Sequence, residues 1–135
     1  MRNLYTMLVM VFLLSATFLF SATINVNPGD DLIAAMNSAN AGDSVVVANG
    51  TYVLPSTLYM TKDNLSLIGE SKAGVILDVS GHTGYGIRTE ANGLTLKNFT
   101  VIPRGASGNA YPIKASFSGG PQSGLVLANI TVDGS

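Results

Sequence analysis

The sequence has no cysteine, no tryptophan and a single histidine, and only 11% of its residues are charged. An ordinary soluble domain carries about 25%. The missing cysteine excludes a disulfide framework, a thiolate zinc or iron–sulfur site and a thiol nucleophile. Seven Lys+Arg against eight Asp+Glu give a net charge of −1, with no basic run. That argues against a nucleic-acid partner, because phosphate binding needs clustered cations. The charge content is also too low for a charge-rich disordered chain.

What is abundant is glycine, 15 residues, and aliphatic side chains within a 47% hydrophobic total. That total mixes two parts. Arg2 is followed by a charge-free run from Leu4 to Phe20 and then by the small residues Ser21, Ala22 and Thr23. This is the order of a secretory signal peptide, so residues 1–22 are expected to be removed and residues 23–135 to form one secreted, extracellular or periplasmic domain. No membrane span is expected to remain after cleavage. All the glycines fall in that second part. A glycine-rich, charge-poor exported chain points to many short strands and tight turns.

One helix is expected at about residues 30–40. Asp30 or Asp31 can accept the free N–H groups of a first turn. Leu32, Ile33, Ala35, Met36 and Ala39 make an apolar stripe at helical spacing, and Asn40-Ala41-Gly42 supplies a stop. After Gly42 the period falls to two: Val45 and Val47, Leu65 and Leu67, Leu94 and Leu96, Leu125 and Leu127. The segments repeat. Tyr85-Gly86-Ile87-Arg88-Thr89 matches Tyr111-Pro112-Ile113-Lys114-Ala115 at an offset of 26 residues. The segment from Gly93 to Val101 matches that from Gly124 to Val132 at an offset of 31, with the extra residues in the loop from Phe117 to Ser123. Weaker copies begin at Val45 and at Met60.

Such repeats predict an all-β, parallel β-solenoid of about three coils, closed at its first end by the amphipathic helix. An antiparallel β-sandwich explains the alternation but not the register of the repeat. Asn98 and Asn129 share one repeat position, with Asn49 expected there in the first copy and Gly69 in the second. Asn and Gly tolerate left-handed backbone, so the position reads as an asparagine ladder at a bend. Asn49, Asn64, Asn98 and Asn129 also fit the N-glycosylation acceptor pattern.

The segments Asp31 to Ala39, Ala41 to Tyr52 and Asn64 to Glu70 resemble the capping helix and first two coils of the pectin lyase-like superfamily of right-handed parallel β-helices. The resemblance covers residues 24–135. It implies the fold strongly and the activity weakly, since that superfamily spans polysaccharide lyases, methylesterases, polygalacturonases, phage tailspikes and non-enzymatic surface proteins. It implies an exported protein that binds or processes polysaccharide of the pectin or uronate type. The alternative is a non-enzymatic extracellular adhesion solenoid.

The acids Asp43, Asp63, Glu70, Asp78, Glu90 and Asp133 are scattered, and no catalytic set can be read from them. No metal site or cofactor is evident, and Ca²⁺ would enter only with a longer parent protein. His82 reads as an exposed loop residue without a partner. Arg88 and Lys114 share a repeat position and follow inward isoleucines, so they are expected to stack outward, either as a solvated outer face or as a pair of cations for an acidic sugar's carboxylate. Tyr85 and Tyr111 align beside them, as a packing ladder or as sugar-stacking surfaces. The chain stops at Ser135 with no cap in view, so it is expected to be the N-terminal part of a longer protein whose catalytic coils lie beyond that residue.

Overall fold

A computed structural model describes residues 20–105, 111–116 and 121–134. Most of the expected signal segment, residues 1–19, lies outside the described residues, as do residues 117–120 of the inserted loop. The described chain is mostly β, with one short helix, α1 (Leu32–Ser38). Its strands are β1 (Thr23–Val26), β2 (Ser44–Val47), β3 (Gly50–Val53), β4 (Leu58–Met60), β5 (Ser66–Gly69), β6 (Val75–Asp78), β7 (Ile87–Thr89), β8 (Thr95–Ile102), β9 (Ile113–Ala115) and β10 (Val126–Val132). No helix among the described residues is long and apolar enough to cross a membrane.

Every strand pairing is parallel. That removes the antiparallel sandwich. The strands fall in three rows. The first is β1, β2, β5, the first half of β8 and that of β10. The second is β3, β6 and the second halves of β8 and β10. The third is β4, β7 and β9. Equivalent residues recur after 21 to 31 positions: Thr23 pairs with Ser44, Ser44 with Ser66, Ser66 with Thr95 and Thr95 with Val126. The strands keep register while the loops absorb the length differences, because only the strands are tied by ladder hydrogen bonds.

In-register pairing makes ladders of like side chains, and these are the core. Val45, Leu67 and Leu96 are buried in line, as are Tyr52, Leu77 and Val101 in the second row and Leu58 and Ile87 in the third. At the last strand, Leu127 and Val132 continue two of these ladders and are 52% and 49% exposed. Tyr52 also brings its hydroxyl inside, where it donates 2.8 Å to the carbonyl of Ala48.

α1 packs chiefly on β4 and β1, and it buries Leu32 and Met36. Asp31 is the residue that caps it: its carboxylate accepts from Ala34 N at 2.9 Å. The helix ends earlier than the Asn40-Ala41-Gly42 stop implies. Ala39 returns to extended backbone, and Lys62 Nζ donates to the carbonyls of Asn37 and Ala39, so a cation neutralises the helix C-terminus.

Two left-handed rows turn the chain. Asn98 and Asn129 have φ of 61° and 52°. They sit at the bends that split β8 and β10 between the first two rows. The second row is Gly42, Asn64, Gly93 and Gly124, with φ of 87°, 58°, 67° and 68°, each two residues before a first-row strand. A Cβ on Gly93 would meet the side-chain oxygen of Asn64, so a side chain there would have to push that amide aside. One sequence alignment needs correction. Val47, not Asn49, pairs with Gly69, and Asn49 does not have positive φ. Asn49 instead binds the next turn: its N–H donates to Glu70 Oε2 at 2.9 Å and its Oδ1 accepts from Ser71 Oγ at 2.8 Å.

Candidate functional site

The outward face of the third row carries the chemistry. Strand alternation sends Leu58, Ile87 and Ile113 inward, so Tyr59, Arg88 and Lys114 point out. The register pairs Tyr59 with Arg88 and Arg88 with Lys114. Tyr85 and Tyr111 precede β7 and β9 by two residues and lie with ring centroids 6.1 Å apart, tilted by 31°. All four residues selected from sequence therefore meet in one cluster.

The contacts within it are specific. Lys114 Nζ donates to the Tyr85 hydroxyl at 2.8 Å and stands 4.3 Å from the centre of its ring. The Arg88 guanidinium lies 5.7 Å from the Tyr85 ring and 5.9 Å from the Tyr59 ring. It is held between two aromatic faces at cation–π distance. The hydrogen bond and charge of Lys114 pull the Tyr85 phenol below its ordinary pKa, and Arg88 adds to this.

Two members escape the sequence reading. Tyr59 is one: the 29-residue offset between Leu65 and Leu94 carries Arg88 back to Tyr59, and that spacing was the available signal. Glu90 is the other. It lies two residues after Arg88, just past the end of β7, and its Oε1 is 2.6 Å from Arg88 Nε. The contact is an ion pair whose N–H is not aligned on the carboxylate. Arg88 is thus not the fully open cation that a simple outward ladder implies. Its Nε edge faces Glu90, and among the described residues Lys114 pairs with no carboxylate.

Shallow hollows flank the cluster. One of about 270 Å³ is lined by Tyr111, Ile113, Lys114 and Ala115. Another of about 320 Å³ runs from Ser56 and Thr57 past Tyr59 to His82 and Gly84. His82 is half-buried rather than exposed. Its Nδ1 accepts from Gly84 N at 3.1 Å, so the ring proton resides on Nε2, which is buried without a partner among the described residues. A larger hollow, of about 330 Å³, lies between the start of α1 and β3, with Tyr52 in its wall.

The asparagines form a separate feature. Asn129 Nδ2 donates to Asn98 Oδ1 at 2.9 Å. Among the described residues no three His, Asp or Glu side chains gather as metal ligands. Comparison with protein-family models, with curated proteins and with solved structures finds no match to this chain.

Proposed function

We propose that the chain is an exported right-handed parallel β-helix that binds an acidic polysaccharide across the outer face of its third row. Three rows of parallel strands with short repeat offsets support the winding. The observation that carries the binding reading is the pairing of Lys114 Nζ with the Tyr85 hydroxyl at 2.8 Å, beside Arg88 and between exposed Tyr59 and Tyr111. Tyrosine rings offer flat apolar faces to the C–H faces of sugars. The cations meet the carboxylates of a uronate. The ladder spacing of about 4.8 Å presents these groups along a line, as an extended chain of sugars requires.

The test is titration of the exported protein with polygalacturonate at low salt, with neutral dextran as control. Saturable binding to the uronate polymer, weakened by salt, is expected. Equal affinity for both polymers, or none for either, rejects the reading.

The lowered Tyr85 pKa favours one second reading, β-elimination. The phenolate would take the proton beside the uronate carboxylate, the C4–O bond would break as C4=C5 forms, and the departing oxygen would receive that proton from the Tyr85 hydroxyl by way of water, which restores the phenolate. Cations at the carboxylate would stabilise the charge that develops there. An unsaturated uronate product, followed by its ultraviolet absorbance, supports this chemistry. Binding without that product assigns the chain to a non-enzymatic surface role.

A further inference from the structure

The backbone N–H of Ala22 donates to Asp43 Oδ1 at 2.7 Å. The second carboxylate oxygen accepts from Asn40 N, also at 2.7 Å. Asp43 is only 3% exposed, whereas Ala22 is exposed. The Ala22 carbonyl in turn accepts from Ser44 N at 2.9 Å. Ala22 is therefore tied to the fold through both its backbone groups, while Ser21 is held by its hydroxyl, which donates to the carbonyl of Gly42 at 2.6 Å. Asp43 is kept ionised by the two amide donors, with a smaller contribution from Lys62. Among the described residues it has no ion-pair partner.

We propose that the secretory leader is cut between Ser21 and Ala22, and that the α-ammonium freed at Ala22 forms an ion pair with Asp43. Hydrolysis breaks the Ser21–Ala22 amide: water gives its hydroxyl to the Ser21 carbonyl and a proton to the Ala22 nitrogen. That amine takes a further proton at neutral pH, since α-amines titrate at about 8. A neutral N–H donor to a buried carboxylate thus becomes a charged one, a stronger hydrogen bond. The other ammonium protons face water, because Ala22 is exposed, so the charge is not stranded.

A cut one residue later, after Ala22, does the opposite. It removes the donor to Asp43 Oδ1 and the acceptor of Ser44 N, so a buried carboxylate loses one of its backbone donors. It also places the aromatic Phe20 three positions before the cut, where a small residue is wanted. The cut after Ser21 puts Leu19 there, which is not small either, but it keeps both backbone bonds of Ala22 and gives up the Ser21 hydroxyl contact. Processing then tightens the first strand instead of loosening it.

The full chain is expressed in an exporting host and the first residue of the exported protein is read by mass spectrometry. Ala22 is expected, and any other first residue overturns the proposal. The exported protein is then melted before and after its α-amine is capped with 2-pyridinecarboxaldehyde, which spares lysine side chains. Capping is expected to lower Tm by about 4 °C or more. In exported Asp43→Asn, capping should leave Tm unchanged. No shift in the wild type, or an equal shift in Asp43→Asn, overturns the ion pair, and the wild-type comparison stands even where the variant fails to fold.

Discussion

The side-chain amide of Asn129 donates to the side-chain oxygen of Asn98 over 2.9 Å, and both residues hold left-handed backbone. Each asparagine turns its strand, and the one amide bond ties the two turns together. Replacing Asn98 removes both services unequally. Asn98→Gly keeps the backbone and loses the amide bond, at a cost of about 1 kcal/mol. Asn98→Ala loses the bond and forces a Cβ into the left-handed region, for about 2–3 kcal/mol in all. Denaturant unfolding should rank wild type above Asn98→Gly above Asn98→Ala, and equal losses would show that the backbone geometry does not matter.

Gly69 stands beside Asn98 by register, and a Cβ there would run into the carbonyl oxygen of Asn98. Gly42 has open space around it but a φ of 87°. The two glycines are therefore needed for different reasons. Gly69→Ala should cost about 3 kcal/mol through a backbone clash. Gly42→Ala should cost about 1 kcal/mol through conformation alone. Thermal melts of the two variants separate the mechanisms by their order.

Acid should loosen the junction between β1 and α1. The backbone donors of Asn40 and Ala22 hold the Asp43 carboxyl below the usual carboxylate value, outweighing the opposing effect of burial. A carboxyl depressed by folding adds stability that is fully present above its unfolded pKa of about 3.9 and is lost as pH falls through its folded value. Asp43→Asn should be less stable at neutral pH and should show a flatter stability curve below about pH 4. Unfolding curves across that range test it.

Tyr85 should titrate below the ordinary phenol value, because Lys114 hydrogen-bonds its hydroxyl and adds its charge. An ultraviolet difference titration should resolve one early phenol. Lys114→Met should return it toward the ordinary value of about 10. An unchanged curve in Lys114→Met would detach the lysine from the phenol.

Binding variants should divide by salt dependence. Lys114→Ala should weaken uronate binding about tenfold at low salt, equivalent to about 1.4 kcal/mol, and less at high salt. Tyr111→Ala should weaken it by a few-fold at either salt, since stacking on a ring is not screened. Isothermal titration at two ionic strengths reads both. Arg88→Ala should have the smaller charge effect of the two cations, because Glu90 already holds one side of Arg88.

Much of this was legible in the chain. The period-two runs and the offsets of 26 and 31 residues anticipate the register of Ile87 with Ile113, Arg88 with Lys114 and Leu96 with Leu127. They do so because a ladder forces equivalent residues to be chemically alike, and likeness survives in sequence. The role of Asn49 was misplaced for the complementary reason. The first turn is shorter, so a repeat counted from its residues slips by two positions, and only hydrogen bonding fixes which pairs meet. Tyr59 was missed because its copy of the repeat keeps only an aliphatic match, Leu58 with Ile87, while Tyr59 meets Arg88 and Met60 meets Thr89.

The sequence by itself determined the rows, since alternation dictates which side chains can be buried and repetition dictates what lies above them. It also determined which cations and tyrosines share a ladder. Tertiary structure alone decided who pairs within the face: that Lys114 takes the Tyr85 hydroxyl, that Glu90 engages Arg88, and that Asp43 receives the N–H of Ala22. These contacts depend on side-chain direction and on loops that follow no repeat. A periodic pattern can specify which residues stack, but not where an aperiodic loop brings a donor to an acceptor.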